Sequence, residues 1–216
     1  NVGVDVIPED REFSSYKVVI LPQMIITKPE MEEKVEAFVK NGGTIIVTYR
    51  HAVKDADNNV PFGETLPVHY NALAGLTVEE TESLQDYDAF PVVGSGVFEG
   101  VEGTGGIFRD MIKVQDAEVL FRYADAFYQE FAAVTRKQTG KGTLYYVGCG
   151  LEEKITKLLM EQVMRDCHFQ MVPSEEGLEI VTRGNEKQKV TMYINHNAKE
   201  VTYGDMTLAP FACKIL

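Results

Sequence analysis

The hydrophobic pattern changes period twice in the first fifty residues. Residues 17–22 (Lys-Val-Val-Ile-Leu-Pro) form a continuous apolar run of the kind that is buried on both faces of a parallel sheet. Thr27 then offers an N-cap, Pro29 suits the first helical turn, and Asn41-Gly42-Gly43 ends the segment. One helical face carries Met31, Val35, Phe38 and Val39. With a further strand at 44–49, residues 17–49 predict a βαβ unit with a right-handed crossover.

The flanks of this unit have weaker patterns. Residues 2–7 alternate between apolar and other positions before Pro8, which predicts a strand. A short helix is predicted at 70–74, where Gly75 would close it. Residues 81–106 are rich in Gly and acidic residues and show no sustained period. We predict a long loop there, and loops of that length in a compact domain are usually functional or mobile.

Regular patterns return in the second half of the chain. Strands are predicted at 117–123, 132–137 and 143–148, followed by an amphipathic helix at 151–167. Pro173-Ser-Glu-Glu-Gly177 is a polar break, and four short alternating runs follow it, at 178–182, 189–194, 200–203 and 211–216. The sequence therefore predicts an α/β domain at 1–173, with a mostly parallel sheet and flanking helices. A small antiparallel β domain is predicted at 174–216.

The charge of the chain excludes two classes of partner. There are 33 acidic and 21 basic side chains, for a net charge of −12, and residues 55–108 contain no Lys or Arg. Phosphate backbones and anionic lipid surfaces both require clustered cations, so we expect neither nucleic-acid nor membrane binding. The apolar runs are also far too short to span a bilayer.

Cys149 is the strongest candidate for a catalytic residue. It follows a strand and precedes a helix in Val147-Gly-Cys-Gly150, which is the setting of a nucleophile elbow. A cysteine nucleophile needs a histidine base that a carboxylate orients, and only His168 and His196 come later in the chain. His168 is followed by Phe169-Gln170 rather than by a nearby carboxylate, and His196 lies in the second predicted domain. We therefore expect a packed thiol, and the three cysteines together favour reduced thiols over a disulfide framework.

Three other motifs are weaker. Asp55 to Asn59 begins like a calcium loop, but Val60 and Leu66 stand where such a loop needs Gly and Glu, so a capped turn is expected. Glu79, Glu80 and Glu82 fit a solvated face better than a glycosidase acid/base pair. Residues 103–106 lack the Lys-Ser/Thr pair of a P-loop. The histidines show no zinc-ligand spacing. No catalytic, cofactor-binding or metal-binding residue is predicted.

Several segments, taken in order, resemble one family. They are Val4-Asp-Val6, Tyr16 to Pro22, Phe38 to Thr44, Asp55 to Val60, Ala117 to Leu120 with Tyr123, and Gly140 to Gly148. Together they look like the part of family-42 β-galactosidases that follows the catalytic barrel. The resemblance implies a trimerisation domain with a flavodoxin-like fold similar to class I glutamine amidotransferases, and then a small C-terminal β domain. It also implies that the chain begins after the first strand and helix of that domain.

The resemblance implies a function as well. The chain would be a non-catalytic oligomerisation and scaffolding portion of a bacterial, cytoplasmic β-galactosidase, binding no cofactor. Its partners would be two further copies and the barrel of the same polypeptide. In the parent, two glutamates of the barrel would perform retaining hydrolysis, and no residue here matches them. Two alternatives stay open: a divergent amidotransferase-like enzyme using Cys149, and a sugar-binding module acting through Tyr and Phe.

The predicted trimer contact lies between Arg50 and Gly106, where apolar side chains occur among predicted loops. Because loops of this length cannot all fold inward, some of these side chains are expected to meet another subunit. The candidates are Val60, Phe62, Leu66, Tyr70, Phe90, Val92, Val93 and Phe98. Three copies of an acidic segment repel one another unless cations face them. Arg50, Lys54 and Arg109 are the candidates for that role.

Overall fold

The computed structural model describes residues 2–85, 87–169, 174–185 and 187–216. The chain divides into two compact units: Glu9–Val163, and Asn1–Pro8 together with Met164–Leu216. The first unit holds a nine-stranded mixed sheet with few helices, and the second holds small antiparallel sheets. This is an α/β architecture followed by a β unit. The predicted boundary at 173–174 adjoins residues outside the described ranges and stays a prediction.

The predicted βαβ unit is confirmed. Strand β1 (Val18–Leu21) pairs in parallel with β2 (Thr44–Thr48), and helix α1 (Pro29–Lys40) connects them. The apolar face of α1 is buried as predicted, with Met31, Val35, Phe38 and Val39 inside. The predicted N-cap is wrong. Lys28 occupies that position without a side-chain cap, because the Thr27 hydroxyl donates to Glu32 Oε1 instead, at 2.7 Å.

The predicted loop at 81–106 is wrong. After helix α2 (Asn71–Ala74), which Gly75 closes in the left-handed conformation as predicted, the chain forms two strands within residues 76–94 and a long third strand. These are β3 (Leu76–Ser83), β4 (Ala89–Gly94) and β5 (Glu102–Val114). Residues 96–98 form one 3₁₀ turn. β5 pairs antiparallel with both β3 and β4, and this pairing satisfies the backbone N–H and C=O groups of the segment. The composition of the segment indicated a loop because residues such as Gly and Asp are depleted in strands.

The remaining strands join these two regions. Strands β6 (Glu118–Tyr123), β7 (Ala132–Thr139) and β8 (Gly142–Val147) follow one another, and β9 (Cys149–Leu151) pairs with β5. The order across the sheet is β1-β2-β8-β7-β6-β4-β5-β3. Only β1, β2 and β8 run parallel among the described strands, so the prediction of a mostly parallel sheet is wrong. The β7–β8 hairpin turns at Gly140, whose φ is +63°.

Helix α3 (Glu153–Asp166) follows β9 and buries Ile155, Leu159 and Val163. Its start is fixed to β5 by two reciprocal hydrogen bonds. The Thr104 hydroxyl donates to Glu152 Oε2 at 2.7 Å, and the Glu152 amide donates to the Thr104 carbonyl at 3.0 Å. No helix in the described part of the chain is long and apolar enough to cross a membrane.

The described residues of the second unit form five short strands. Strands β10 (Leu178–Gly184), β11 (Lys189–Asn195) and β14 (Cys213–Ile215) form one antiparallel sheet. Strands β12 (Val201–Tyr203) and β13 (Met206–Leu208) form a hairpin, of which β13 was not predicted. Buried Asn195 joins the parts, because its amide donates to the carbonyls of Lys199 and Ala209, both at 2.9 Å. The strand predicted at 2–7 is absent. Its alternating Val4 and Val6 are exposed rather than paired in a sheet.

Candidate functional site

The carboxyl ends of β2 and β8 lie side by side, since Thr48 pairs with Val147. In open α/β sheets this is the edge where ligands bind. Residues 49–51 follow β2, and Gly148 and Cys149 follow β8. This edge is therefore the first candidate for a chemical site.

A buried carboxylate occupies the edge. Asp110, from β5, is fully buried, and its carboxylate accepts three hydrogen bonds. The donors are the Thr81 hydroxyl at 2.6 Å, the Tyr146 hydroxyl at 2.7 Å and the Arg50 amide at 3.0 Å. Burial raises the pKa of Asp110, and these hydrogen bonds oppose that shift. A carboxylate with three protein donors is positioned to hold strands together rather than to receive a substrate.

Cys149 is buried at the same edge. It belongs to β9 and stands opposite Arg109 of β5, so the elbow between strand and helix that a nucleophile needs does not form. Its side chain is 1% exposed, and burial, followed by the nearby Asp110 charge, raises the pKa of the thiol to about 12. The thiol is therefore protonated near neutral pH. This matches the predicted packed thiol and disfavours the amidotransferase-like alternative.

Arg109 was predicted to face the acidic residues of another subunit, and this is wrong. Its side chain is 5% exposed, and its guanidinium stacks over Phe90 and Tyr128, with the Cζ atom 4.1 and 3.8 Å from the ring centroids. Its Nη2 donates to Asp125 Oδ2 at 3.0 Å, and its Nε lies 3.7 Å from Glu82 Oε2. The charge is used inside the subunit, where a desolvated guanidinium gains more from aromatic faces than it does in water.

The other candidate motifs have structural roles. Asp55 Oδ1 accepts from the amides of Asp57 and Asn59, at 3.0 and 2.9 Å, which is the predicted capped turn. Glu79 is exposed and pairs with Lys113 at 2.7 Å, and Glu80 is exposed as well. Glu82 departs from the predicted solvated face, because its Oε2 is buried beside Arg109.

The glycine run at 103–106 allows close packing. A Cβ on Gly105 would lie 2.5 Å from the Phe90 ring and 3.0 Å from Cys149 Sγ, and one on Gly103 would meet Ile155 of α3 at 2.5 Å. The glycines thus let β9 and α3 pack against β5. Among the described residues, no group of three or more His, Cys, Asp or Glu could hold a metal ion.

Most of the predicted trimer-contact residues are buried within the subunit. Tyr70, Phe90, Val92 and Phe98 are each less than 5% exposed, because the segment forms strands and packs inward. Leu66 and Val93 are half-buried. Only Val60 and Phe62 of the predicted set are exposed among the described residues, at 66% and fully. Of the two other predicted cations, Arg50 stacks over Phe108 at 4.9 Å, and Lys54 donates to Asn58 at 2.9 Å.

Three exposed apolar side chains that the sequence did not single out belong to β5 or to segments that contact β5. We name Tyr87, Ile107 and Phe127 the apolar rim; they are 84%, 51% and 74% exposed. Tyr87 lies between Gln85 and Asp88, where the Asp88 amide donates to the Gln85 carbonyl at 2.9 Å, and the nearby Leu84 amide donates to the Ile107 carbonyl at 3.0 Å. Phe127 packs on Tyr128, which stacks on Arg109. Large exposed apolar side chains on neighbouring segments are typical of an interaction surface.

Comparison with solved structures identifies the class of fold. The chain superposes on the β-galactosidase of Bacillus circulans sp. alkalophilus with a TM-score of 0.88 and 25% identity, over 96% of this chain and 34% of that one. For the β-galactosidase of Rahnella sp. R3 the TM-score is 0.91 at 24% identity, over 100% and 34% of the two chains. The two units thus have the fold of a portion of these enzymes.

Comparison of sequences identifies the family. The profile of the beta-galactosidase trimerisation domain matches residues 1–170, so the chain belongs to this family. It is 29% identical to the β-galactosidase Pbg of Clostridium perfringens over 208 residues, which is 94% of this chain and 30% of the relative. It therefore spans about a third of the length of the relatives it matches.

Proposed function

We propose that this chain is the homotrimerisation and scaffolding part of a bacterial, cytoplasmic β-galactosidase. The main support for this proposal is the match to the trimerisation-domain family over residues 1–170, in a chain that spans 30% of a β-galactosidase relative. In this proposal the parent hydrolyses terminal β-galactosides by a retaining two-glutamate mechanism in a barrel outside this sequence. The three free cysteines suit a reducing compartment.

The residues at the carboxyl ends of β2 and β8 support a non-catalytic role for this part of the parent. The carboxylate of Asp110 is occupied by three donors, and the Cys149 thiol is buried with a raised pKa. We further propose that β1, α1, β2 and β8 correspond to a flavodoxin-like, amidotransferase-like core. Their parallel register and the crossover helix support this assignment.

The apolar rim is the proposed contact between subunits. The acidic residues of this region were expected to repel a second copy, and the structure suggests how that repulsion is reduced. Arg109 pairs with both Asp125 and Glu82, so its single positive charge partly offsets two carboxylates within the subunit. The three apolar side chains of the rim remain exposed. A stable contact needs about 1,000 Å² in total, so the rim would form its centre rather than its whole extent.

The test is the mass of the full-length parent polypeptide by light scattering across a concentration range. We expect three copies for the wild type and dissociation for the Tyr87→Ser/Phe127→Ser double variant. Val97→Ser, at a similarly exposed apolar position, is the matched control and should leave the mass unchanged. A wild-type parent that stays monomeric at high micromolar concentration and moderate salt would refute the trimer. If Phe62→Ser dissociates it and the rim variant does not, the trimer stands but the rim assignment is wrong.

A further inference from the structure

His51 is a buried titratable side chain that the proposed function does not use. It is 1% exposed, and neither ring nitrogen has a hydrogen-bond partner among the described residues. The ring packs edge-on against Tyr70, with centroids 4.5 Å apart. Burying an imidazole without a partner for either nitrogen is costly, and such residues in native structures call for an explanation.

The backbone around His51 is strained. Arg50 and Ala52, on either side, have φ values of +59° and +52°, and His69 in the same segment has +61°. Side chains with a Cβ adopt this region only when the surrounding structure imposes it. Here backbone hydrogen bonds impose it: the Ala52 amide donates to Met24 and the Val68 amide donates to Ala52, at 2.8 and 3.0 Å. Further bonds hold the segment closed, from the amides of Val53 and Lys54 to the Ile25 carbonyl and from the Arg50 amide to Asp110, so its opening requires a specific trigger.

We propose that residues 50–70 form an acid-sensitive element, in which protonation of the His51 imidazole releases residues 50–54 and 67–70 from the rest of the first unit. An imidazolium cannot be accommodated in this pocket without a partner. The released segment would carry Val60 and Phe62, whose apolar side chains are already exposed, out of their fixed position. This inference does not depend on trimerisation.

Among the described residues, none of the neighbouring titratable groups hydrogen-bonds the His51 ring. Asp110 of β5 is engaged by its three donors, one of them the amide of Arg50. Tyr146 of β8 donates its hydroxyl to Asp110, and Tyr70 presents its ring. Glu32 of α1 accepts from Thr27 and lies 3.9 Å from His69. The Arg50 guanidinium, stacked over Phe108, has the same sign of charge as an imidazolium.

The direction of the pH effect follows from burial. Burial lowers the pKa of His51 from 6.5 to about 3, so between these values the released segment binds a proton that the closed segment does not. The closed state is therefore fully favoured above pH 6.5 and loses about tenfold for each pH unit below it, until pH 3. At about pH 4.5 the opening equilibrium should be roughly a hundredfold more favourable than at neutral pH. Protonation of Asp110 has the opposite effect and favours the closed state, because the pKa of this carboxyl is raised. The test therefore uses variants of His51, which leave Asp110 unchanged.

The experiment is hydrogen exchange on the 216-residue chain, read by mass spectrometry and corrected for the intrinsic pH dependence of exchange. Peptides covering 49–54 and 66–71 should lose protection by one to two orders of magnitude between about pH 7 and pH 4.5, while β2 and β8 keep theirs. In His51→Gln and His51→Leu this pH dependence should disappear. The matched control is His69→Gln, which removes an exposed histidine from the same segment and should behave like the wild type.

Unchanged protection of the wild-type segment at acid pH, or the same loss in the His51 variants, would overturn the inference. If neither variant folds, the wild-type His51 ring is titrated by NMR. A ring that titrates near its ordinary pKa while the segment stays protected would overturn it equally. A ring that stays neutral until the segment opens supports it.

Discussion

The hydrogen bonds to Asp110 should make a measurable contribution to the free energy of unfolding. Replacing Tyr146 with Phe leaves the ring in place and removes the hydroxyl, which donates to the buried carboxylate at 2.7 Å and accepts from the His51 backbone amide. Hydrogen bonds to charged groups contribute about 1.5–3 kcal/mol, so we expect Tyr146→Phe to lower the free energy of unfolding by about 2 kcal/mol. Thr81→Val should cost a similar amount through the 2.6 Å bond. The matched control is Tyr87→Phe, where the hydroxyl is exposed and the effect should stay within about 0.5 kcal/mol.

The double variant tests whether the two donors act on the same group. With both hydroxyls removed, Asp110 can escape the cost by taking up a proton, since its pKa is already raised. The loss in the double variant should therefore be smaller than the sum of the single losses, by about 0.5–3 kcal/mol. The assay is urea unfolding followed by circular dichroism, because the chain has no Trp, and the midpoint should shift at constant slope. Strict additivity, or a Tyr146→Phe effect no larger than that of Tyr87→Phe, would refute the reasoning.

The stability contribution of Asp110, and with it the penalty of Tyr146→Phe, should depend on pH in a definite direction. A carboxyl whose folded pKa lies above its unfolded value of 3.8 stabilises the fold at low pH and loses that contribution as pH rises through the folded pKa. Removing the Tyr146 hydroxyl raises the pKa of Asp110 further, because that bond favours the charged form. The penalty of Tyr146→Phe should therefore be larger at neutral than at acid pH. The opposite trend would mean that Asp110 is not the group being stabilised.

Three further predictions concern other parts of the fold. Cys213 is exposed and should be alkylated readily near neutral pH, whereas the buried Cys149 should react only when the chain unfolds. Peptide mapping reads the labelled positions, and selective early labelling of Cys149 would favour the enzymatic alternative. Gly142→Ala should destabilise by about 1–3 kcal/mol or more, because its Cβ would overlap two backbone carbonyl oxygens, while Gly3→Ala, which meets only ordinary contacts, should be neutral in thermal melts. Residues 174–216 alone should not melt cooperatively, since their core cluster has three buried apolar side chains among the described residues; a sharp calorimetric transition would contradict this.

The sequence predicted the parallel part of the fold because its signals are local. The run at β1, the face of α1 and the run at β8 each lie within one element, and each keeps its period from end to end. Burial on both faces makes such strands continuously apolar, which is readable without knowing the partner strand. The packed state of Cys149 was predicted for a similar reason, since a nucleophile needs partners that the sequence visibly lacks.

The antiparallel part could not be predicted because its signals come from pairing. β5 is thirteen residues long and contacts β3, β4, β7 and β9 along its length, so its environment changes several times within one strand. Its glycines are required by the packing of β9 and α3, yet in the sequence they indicate a loop. Arg109 illustrates the same limit: three aromatic rings within 6 Å make it an internal residue, and these come from three different strands or loops.

The edge of the sheet where an α/β enzyme would have its catalytic residues is instead cross-linked by side-chain hydrogen bonds. Tyr123 donates to the carbonyls of Asp110 and Gly148, at 3.0 and 3.3 Å, and so joins β6 to β5 and to the end of β8. Each of these bonds removes a polar group that a substrate could have used and adds a connection between strands. A surface that must hold other subunits in register needs rigid support, whereas a catalytic edge needs open polar groups and room for a ligand. The filled strand ends and the apolar rim are thus two consequences of the same packing, and both favour assembly over catalysis in this part of the polypeptide.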